Sequence, residues 1–315
     1  MKKTSLSSNS VLAKMSIGYF ADGPWAQNAL RLFLDDEEIE IKFICPRYNQ
    51  PDRELERMAV KHGIDLIKNR NINSAEFIVK VEAYDCDLFV SLSFNQIFKK
   101  QLIYLPPYST INCHAGKLPF YRGRNILNWC LINDGKEFGI TVHYIDEGID
   151  TGDIILQRCF PITDQDTYAT ILDRAHIECA NLLYSAVKQI HAGTADRIPQ
   201  SIIHSVGFYC GKRKPGDEII NWKDTSRSIF NLVRAVCSPG PMALSYLNGE
   251  VIRINKVKLV PDAPTYKGIP GQVIGESDEG FLVKTKDSFI KVVEYQYSGT
   301  IRMGNRFSGS SNEDD

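Results

Sequence analysis

What the 315-residue chain lacks narrows its class first. No apolar run approaches the ~20 residues of a membrane span. Its eight cysteines form no Cys-x-x-Cys pair, and its six histidines form no cluster at zinc spacing, so no metal site is expected. Neither sign of charge is in excess: 37 Lys+Arg stand against 38 Asp+Glu, and the pI is about 6.6. That balance argues against a dedicated polyanion binder, so no nucleic-acid partner is expected. Repeats and low-complexity blocks are also missing. Met1 to Lys14 is Ser/Lys-rich without the apolar stretch of a secretory signal, and 1–14 is expected to be a loose extension. The polar tail 308–315 is read the same way. What remains is ordinary for a soluble globular protein: 43% hydrophobic and 10% aromatic residues, at a length that favours two domains. The cysteines are scattered, several inside apolar runs such as Phe43-Ile44-Cys45. They read as buried reduced thiols and point to the cytoplasm, with no membrane association.

From Met15 to about Phe160, short apolar strands alternate with helical patterns. Met15–Phe20, Ile39–Cys45, Asp65–Ile67, Asp87–Val90 and Thr110–His114 read as strands. Trp25–Leu34, Asp52–His62 and Ala75–Ala83 read as helices, with Ser74 as an N-cap and Gly63 as a stop. Asn125–Asn133 reads as a further helix, Gly139–Tyr144 and Gly152–Phe160 as strands, and Thr167–His191 as the longest helix. Strands this short and apolar predict a mostly parallel sheet covered on both faces, with its ligand crevice beyond the strands' carboxyl ends. From Gly207 the character changes. One helix, Thr225–Cys237, is followed by alternating runs at Val251–Leu259, Gly271–Ile274, Gly280–Lys284 and Phe289–Tyr297. The expectation is an α/β chain: a Rossmann-like sheet domain over 15–193, a linker over 194–206, and a small β-rich, OB-like barrel over 207–307.

The densest polar cluster is Asn112-Cys113-His114, followed by Gly116 to Gly123 and, further on, by Asp146 to Asp153. Residues two apart on a strand share a face, so Asn112 and His114 point into one crevice. An amide donor beside an imidazole is what acyl transfer needs: the amide stabilises an oxyanion and the imidazole takes a proton. A carboxylate brought close would orient that imidazole. By itself, Asn-x-His is equally compatible with a capped strand end and a satisfied histidine.

The longer pattern is more specific. Asn112-Cys-His114-Ala-Gly-Lys-Leu118-Pro119-Phe-Tyr121-Arg122-Gly123, Trp129, Gly139-Ile-Thr141-Val-His143 and Asp150-Thr151-Gly152-Asp153-Ile154 resemble the N10-formyltetrahydrofolate-dependent formyltransferases. His114 and Asp150 are 36 residues apart, as in that family. Tyr209 to Trp222 resembles the start of the family's C-terminal domain, and the resemblance covers nearly the whole chain. It implies Asn112, His114 and Asp150 as the catalytic trio. It also implies a folate site on Phe94, Gln96, Ile97 and Phe98, with Asp146 and Gly148 in the loop across the pterin and Arg124 as a further cofactor contact. Gly116 stands where many members carry Ser.

Members differ in the amine they formylate. The tRNA enzymes carry a long basic insertion after the second strand, whereas Pro46-Arg47-Tyr48-Asn49-Gln50-Pro51-Asp52 is short here. Phe20 to Trp25, Tyr48 to Asp52, Ser91 to Phe98 and His114 to Asn125 resemble sugar N-formyltransferases of surface-polysaccharide and O-antigen pathways. The resemblance therefore implies a dTDP- or UDP-linked amino-dideoxy sugar as acceptor, with dTDP favoured and methionyl-tRNA as the alternative. Trp25, Lys80, Arg122 and Asn125 are the candidates for holding that substrate. A homodimer is expected, because related sugar enzymes pair through the C-terminal domain.

Overall fold

The computed structural model describes residues 14–311; most of the expected N-terminal extension and residues 312–315 of the tail lie outside them. The chain runs β1 (Met15–Ala21), α1 (Gly23–Leu34), β2 (Ile39–Cys45), α2 (Arg53–His62), β3 (Asp65–Leu66), α3 (Ala75–Glu82), β4 (Leu88–Leu92), α4 (Lys100–Ile103) and β5 (Thr110–His114). It continues through β6 (Arg122–Gly123), α5 (Ile126–Ile132), β7 (Glu137–Tyr144), β8 (Ile154–Pro161) and α6 (Tyr168–His191). Then come α7 (Gln200–Ile203), β9 (Tyr209–Cys210), α8 (Ser226–Val236), β10 (Ala243–Leu247), β11 (Glu250–Leu259), β12 (Val273–Ser277), β13 (Gly280–Lys284) and β14 (Phe289–Gln296).

A seven-stranded sheet has the order β3-β2-β1-β4-β5-β7-β8, parallel from β3 through β5 and antiparallel between β5 and β7. Its central strand β1 is buried at every residue, as a strand covered on both faces must be. Gly18 in β1 makes room for two rings: a Cβ there would come within 2.5 Å of Phe43 and 2.7 Å of Phe89. Those rings pack with Phe20, Phe77 and Phe98 into one aromatic core. Local capping sets the flanking helices. The Asp52 carboxylate accepts from Leu55 N, Gly63 closes α2 at φ 66°, and Ser74 Oγ accepts from Phe77 N.

By contact density the chain divides into two compact units. The residues up to His114, with Ile140–Gln157 and His176–Ile203, form one; Ala115–Gly139, Arg158–Ala175 and the chain from His204 onward form the other. Within 194–206, read as a linker, Ile198 pairs with Ile154 and Gln200–Ile203 is a helical turn.

In the second unit an antiparallel sheet has the order β10-β11-β14-β13-β12. Residues 304–308 bond to both of its edges: Ser308 exchanges hydrogen bonds with Tyr246 of β10, and Val273 of β12 donates to Asn305 O. The sheet thus closes on itself and leaves no open edge there. Strand β10 was not foreseen from sequence because its inward residue Ser245 is polar. Ser245 is fully buried, accepting from Trp222 Nε1 at 2.9 Å and donating to Ser308 O at 2.8 Å. The eight cysteines are free, and six of them are buried.

Candidate active site

The carboxyl ends of β2, β1 and β4 lie side by side in the first unit. Just beyond them the buried Asp22 carboxylate accepts from Arg47 N at 2.9 Å. Burial pushes the Asp22 pKa up, against the lowering effect of Arg47. The Arg47 guanidinium donates to Ser93 O at 3.0 Å through Nε and to Ser93 Oγ at 2.9 Å. The short connection 46–52 therefore fastens the start of the Phe94–Phe98 loop, where Ser93 sits at φ 56°.

Each side chain of that loop has a distinct setting. Phe98 is buried, 5.0 Å from Phe20, and Phe94 packs partly buried on the same core. Gln96 braces the neighbouring loop, with Oε1 accepting from Ile72 N at 3.1 Å and Nε2 donating to Asn69 O at 2.9 Å. Asn95 and Ile97 are exposed, Ile97 at 63%. The Asp146–Asp150 loop adjoins it: Lys100 Nζ lies 3.9 Å from Glu147 Oε1, and Ile145 packs on the same aromatic core as Phe94. Asp146 Oδ1 accepts from Gly148 N and Thr151 Oγ1, and a Cβ on Gly148 would stand 2.0 Å from Thr151 Oγ1. Each loop carries one exposed apolar side chain, Ile97 on the first and Ile149 on the second.

At the end of β5 the structure brings together Asn112, His114, Asp150 and a residue that sequence reasoning left without a role, His143. The antiparallel register of β5 and β7 sets Asn112 opposite His143 and His114 opposite Thr141. Asn112 Nδ2 lies 3.3 Å from His143 Nε2. The Asp150 carboxylate sits between two imidazoles, with Oδ2 3.7 Å from His114 Nδ1 and Oδ1 3.7 Å from His143 Nε2. His114 is 9% exposed and Asn112 is half-buried, so the cluster stays reachable from one side. Asp150 takes φ 54°, an uncommon conformation for an aspartate. Gln200 supports it, its Nε2 donating to Asp150 O and Gly152 O at 2.9 Å each. The signal for His143 was the period-two pair Thr141-Val-His143, which mirrors Asn112-Cys-His114. Nothing in the sequence marked Gln200.

The candidates for substrate binding are dispersed. In the first unit Trp25 is half-buried on α1, edge-on to His176 at 4.4 Å, and Lys80 is exposed in the last turn of α3. In the second unit the Arg122 guanidinium lies 5.5 Å over the Tyr209 ring. Arg124 is exposed with its N–H on Cys210 O, and Asn125 Oδ1 accepts from Arg213 N. A cavity of about 380 Å³, lined by Phe120, Tyr121, Phe138 and Phe208 among others, lies within the second unit and contains no sequence-predicted site residue. Among the described residues no group of His, Cys, Asp and Glu could hold a metal ion, and no helix is long and apolar enough to cross a membrane.

Two family models match the chain: formyl transferase over residues 42–187 and the formyl transferase C-terminal domain over 212–308. A methionyl-tRNA formyltransferase of Halothermothrix orenii is 33% identical over 300 residues, spanning 90% of this chain and 93% of its own. One from Pelotomaculum thermopropionicum is 34% identical over 241 residues, or 76% and 75%. Among solved structures, WlaRD, a sugar 3N-formyltransferase crystallised with dTDP and 5-N-formyl-THF, superposes with a TM-score of 0.67 at 24% identity. That match covers 90% of this chain and 98% of WlaRD. The N-formyltransferase of Helicobacter canadensis, solved with folinic acid and dTDP-3-aminofucose, gives 0.65 at 24% identity over 90% and 100%. At this identity the two structures speak for the fold alone.

Proposed function

The chain belongs to the formyltransferase family, enzymes that transfer formyl groups from folate, and we propose that Asn112, His114 and Asp150 perform that transfer onto a primary amine. The observation that carries the assignment of residues is the clustering of a carboxamide, an imidazole and a carboxylate at the end of β5 and in the 146–150 loop. Phe94, Ile97 and the Asp146–Asp150 loop would hold the pterin of N10-formyltetrahydrofolate, which supplies a formyl carbon activated for attack when bound, while Phe98 is buried in the aromatic core and supports Phe94. Asn112 donates an N–H to the formyl oxygen as negative charge builds there. His114 takes the proton the amine must lose, and its charged form also faces the oxygen. Asp150 holds the imidazole and stabilises its protonated state, so the proton can pass on to N10 of the departing folate.

For the acceptor we propose a nucleotide-linked amino sugar, dTDP-linked in the first instance. The short 46–52 connection supports this reading, since it is occupied in fastening Ser93 and carries no basic insertion. The even charge balance supports it too. Trp25, Lys80, Arg122, Arg124 and Asn125 remain the proposed contacts for nucleotide, diphosphate and cofactor. The second reading is methionyl-tRNA, and the sequence comparisons favour it more strongly than the first: relatives at 30–34% identity carry that activity in their names. A single assay separates the two. The enzyme is supplied with N10-formyltetrahydrofolate and, in turn, dTDP-amino sugars, UDP-amino sugars and methionyl-tRNA, and product is detected by mass. Formylated sugar alone upholds the first reading and formylated tRNA alone the second. Turnover of none of them overturns both.

A further inference from the structure

We infer that His143 is a positioning residue that holds the Asn112 carboxamide in one orientation, acting as a neutral imidazole protonated on Nδ1. The inference rests on the formyl-transfer reading of the site and adds a residue to it. His143 is 2% exposed, so its ring has no water to satisfy it. Its Nδ1 lies 2.8 Å from Tyr144 O. A carbonyl oxygen only accepts, so Nδ1 carries a hydrogen, and in the Nδ1–H tautomer we infer, Nε2 keeps its lone pair. Facing that lone pair at 3.3 Å is Asn112 Nδ2, which donates to it. Turned the other way, the amide would set its own oxygen against the lone pair. One N–H of Asn112 is thus tied to His143, and the other is free to aim at a substrate carbonyl.

The same tautomer divides the work around Asp150. The charged or titratable groups facing His143 are Asp150 in the loop and, through that carboxylate, His114 on β5; Arg197 stacks 3.7 Å over the Tyr144 ring, the residue to which His143 is anchored. A protonated His143 would push a hydrogen at the Asn112 NH₂ and place a cation 3.7 Å from Asp150 Oδ1. It would then compete with His114 for the carboxylate. Kept neutral, His143 serves the amide and leaves Asp150 to His114.

The test has two arms. In the first, the protein is labelled with ¹⁵N-imidazole histidine, and His143 is assigned by comparison with His143→Gln. At neutral pH the Nδ1–H tautomer is expected, with the Nε2 resonance moving in Asn112→Ala. An Nε2–H tautomer or an imidazolium would overturn the inference. In the second arm, His143→Leu removes the acceptor and is expected to lower kcat by up to ~10²-fold, with KM for the formyl donor unchanged. His143→Gln, whose Oε1 can accept from Asn112, should restore most of the rate. In an Asn112→Ala background, His143→Leu should cost nothing further. Equal losses in Leu and Gln, or fully additive losses, overturn the inference. If no acceptor is formylated, the formyl-transfer reading fails, while the tautomer measurement still decides the role of His143.

Discussion

Each compact unit holds a cluster of polar side chains, largely buried in the first unit and partly exposed in the second, and the two clusters are built to different tolerances. In the second unit Asp134, Arg227, Asn231 and Arg234 lock together. Arg227 donates to Asp134 at 2.7 Å and to Asp164 at 2.8 Å, Asn231 to Asp134 at 3.2 Å, and Arg234 to Asn231 at 3.0 Å and to Thr163 O at 2.8 Å. In the first unit the contacts that join Asn112, His143, Asp150 and His114 to one another are 3.3–3.7 Å. Bonds this short tie the donors to protein acceptors and make a scaffold. The longer contacts lie at the carboxyl ends of strands, where the hydrogen bonds of free enzymes are often long before substrate binds.

That contrast is open to direct attack. The largest effect belongs to His114→Asn, expected to fold with unchanged thermal stability and to turn over at least ~10²-fold more slowly. Thermal unfolding and steady-state rates on one preparation check it; lost stability with near-normal kcat would turn the first cluster into scaffold. Next is Arg234→Met in the second. It removes bonds from a guanidinium whose side chain is 4% exposed, and should destabilise the protein by about 2–3 kcal/mol in urea unfolding while leaving kcat per folded molecule intact. A kcat loss comparable to that of His114→Asn would erase the distinction. Gly148→Ala forces Thr151 aside and is expected to raise KM for the formyl donor about tenfold, equivalent to ~1.4 kcal/mol. An unchanged KM would remove that loop from the folate site.

The smallest effect comes from a tight pair in the first unit that lies outside the site. Burial alone would raise the Asp36 pKa, but hydrogen bonds from Lys188 Nζ at 2.8 Å and Tyr184 Oη at 2.7 Å outweigh it and bring the carboxyl to about 2. The folded value lies below the unfolded value of 3.8, so the contribution is complete above about pH 4 and is lost as pH falls towards 2. After solvent screening it amounts to at most about 1 kcal/mol. Asp36→Asn should therefore be less stable than the native protein at pH 6, with the gap closing at pH 3. A gap that does not depend on pH would show that the ion pair contributes nothing.

Much of the fold was legible in local chemistry. Thr110–His114 and Gly280–Lys284 were bounded to the residue, and the caps at Asp52, Ser74 and Thr225 stand where a short polar side chain meets an orphan N–H. Periodicity also put Asn112 and His114 on one face, and motif spacing singled out Asp150 as their companion. What local chemistry could not supply was pairing. A period of two says which side chains share a face but not which strand lies opposite, and a slip of one residue would have turned His143 away from Asn112. Gln200 was read as part of a linker because its value lies in two carbonyls nearly fifty residues upstream. Ser245 hid β10 for the same reason, its partners being Trp222 and Ser308. The sequence by itself determined the elements, their ends and the chemistry gathered at β5. The tertiary structure alone decided which polar groups meet, because their partners lie far apart along the chain.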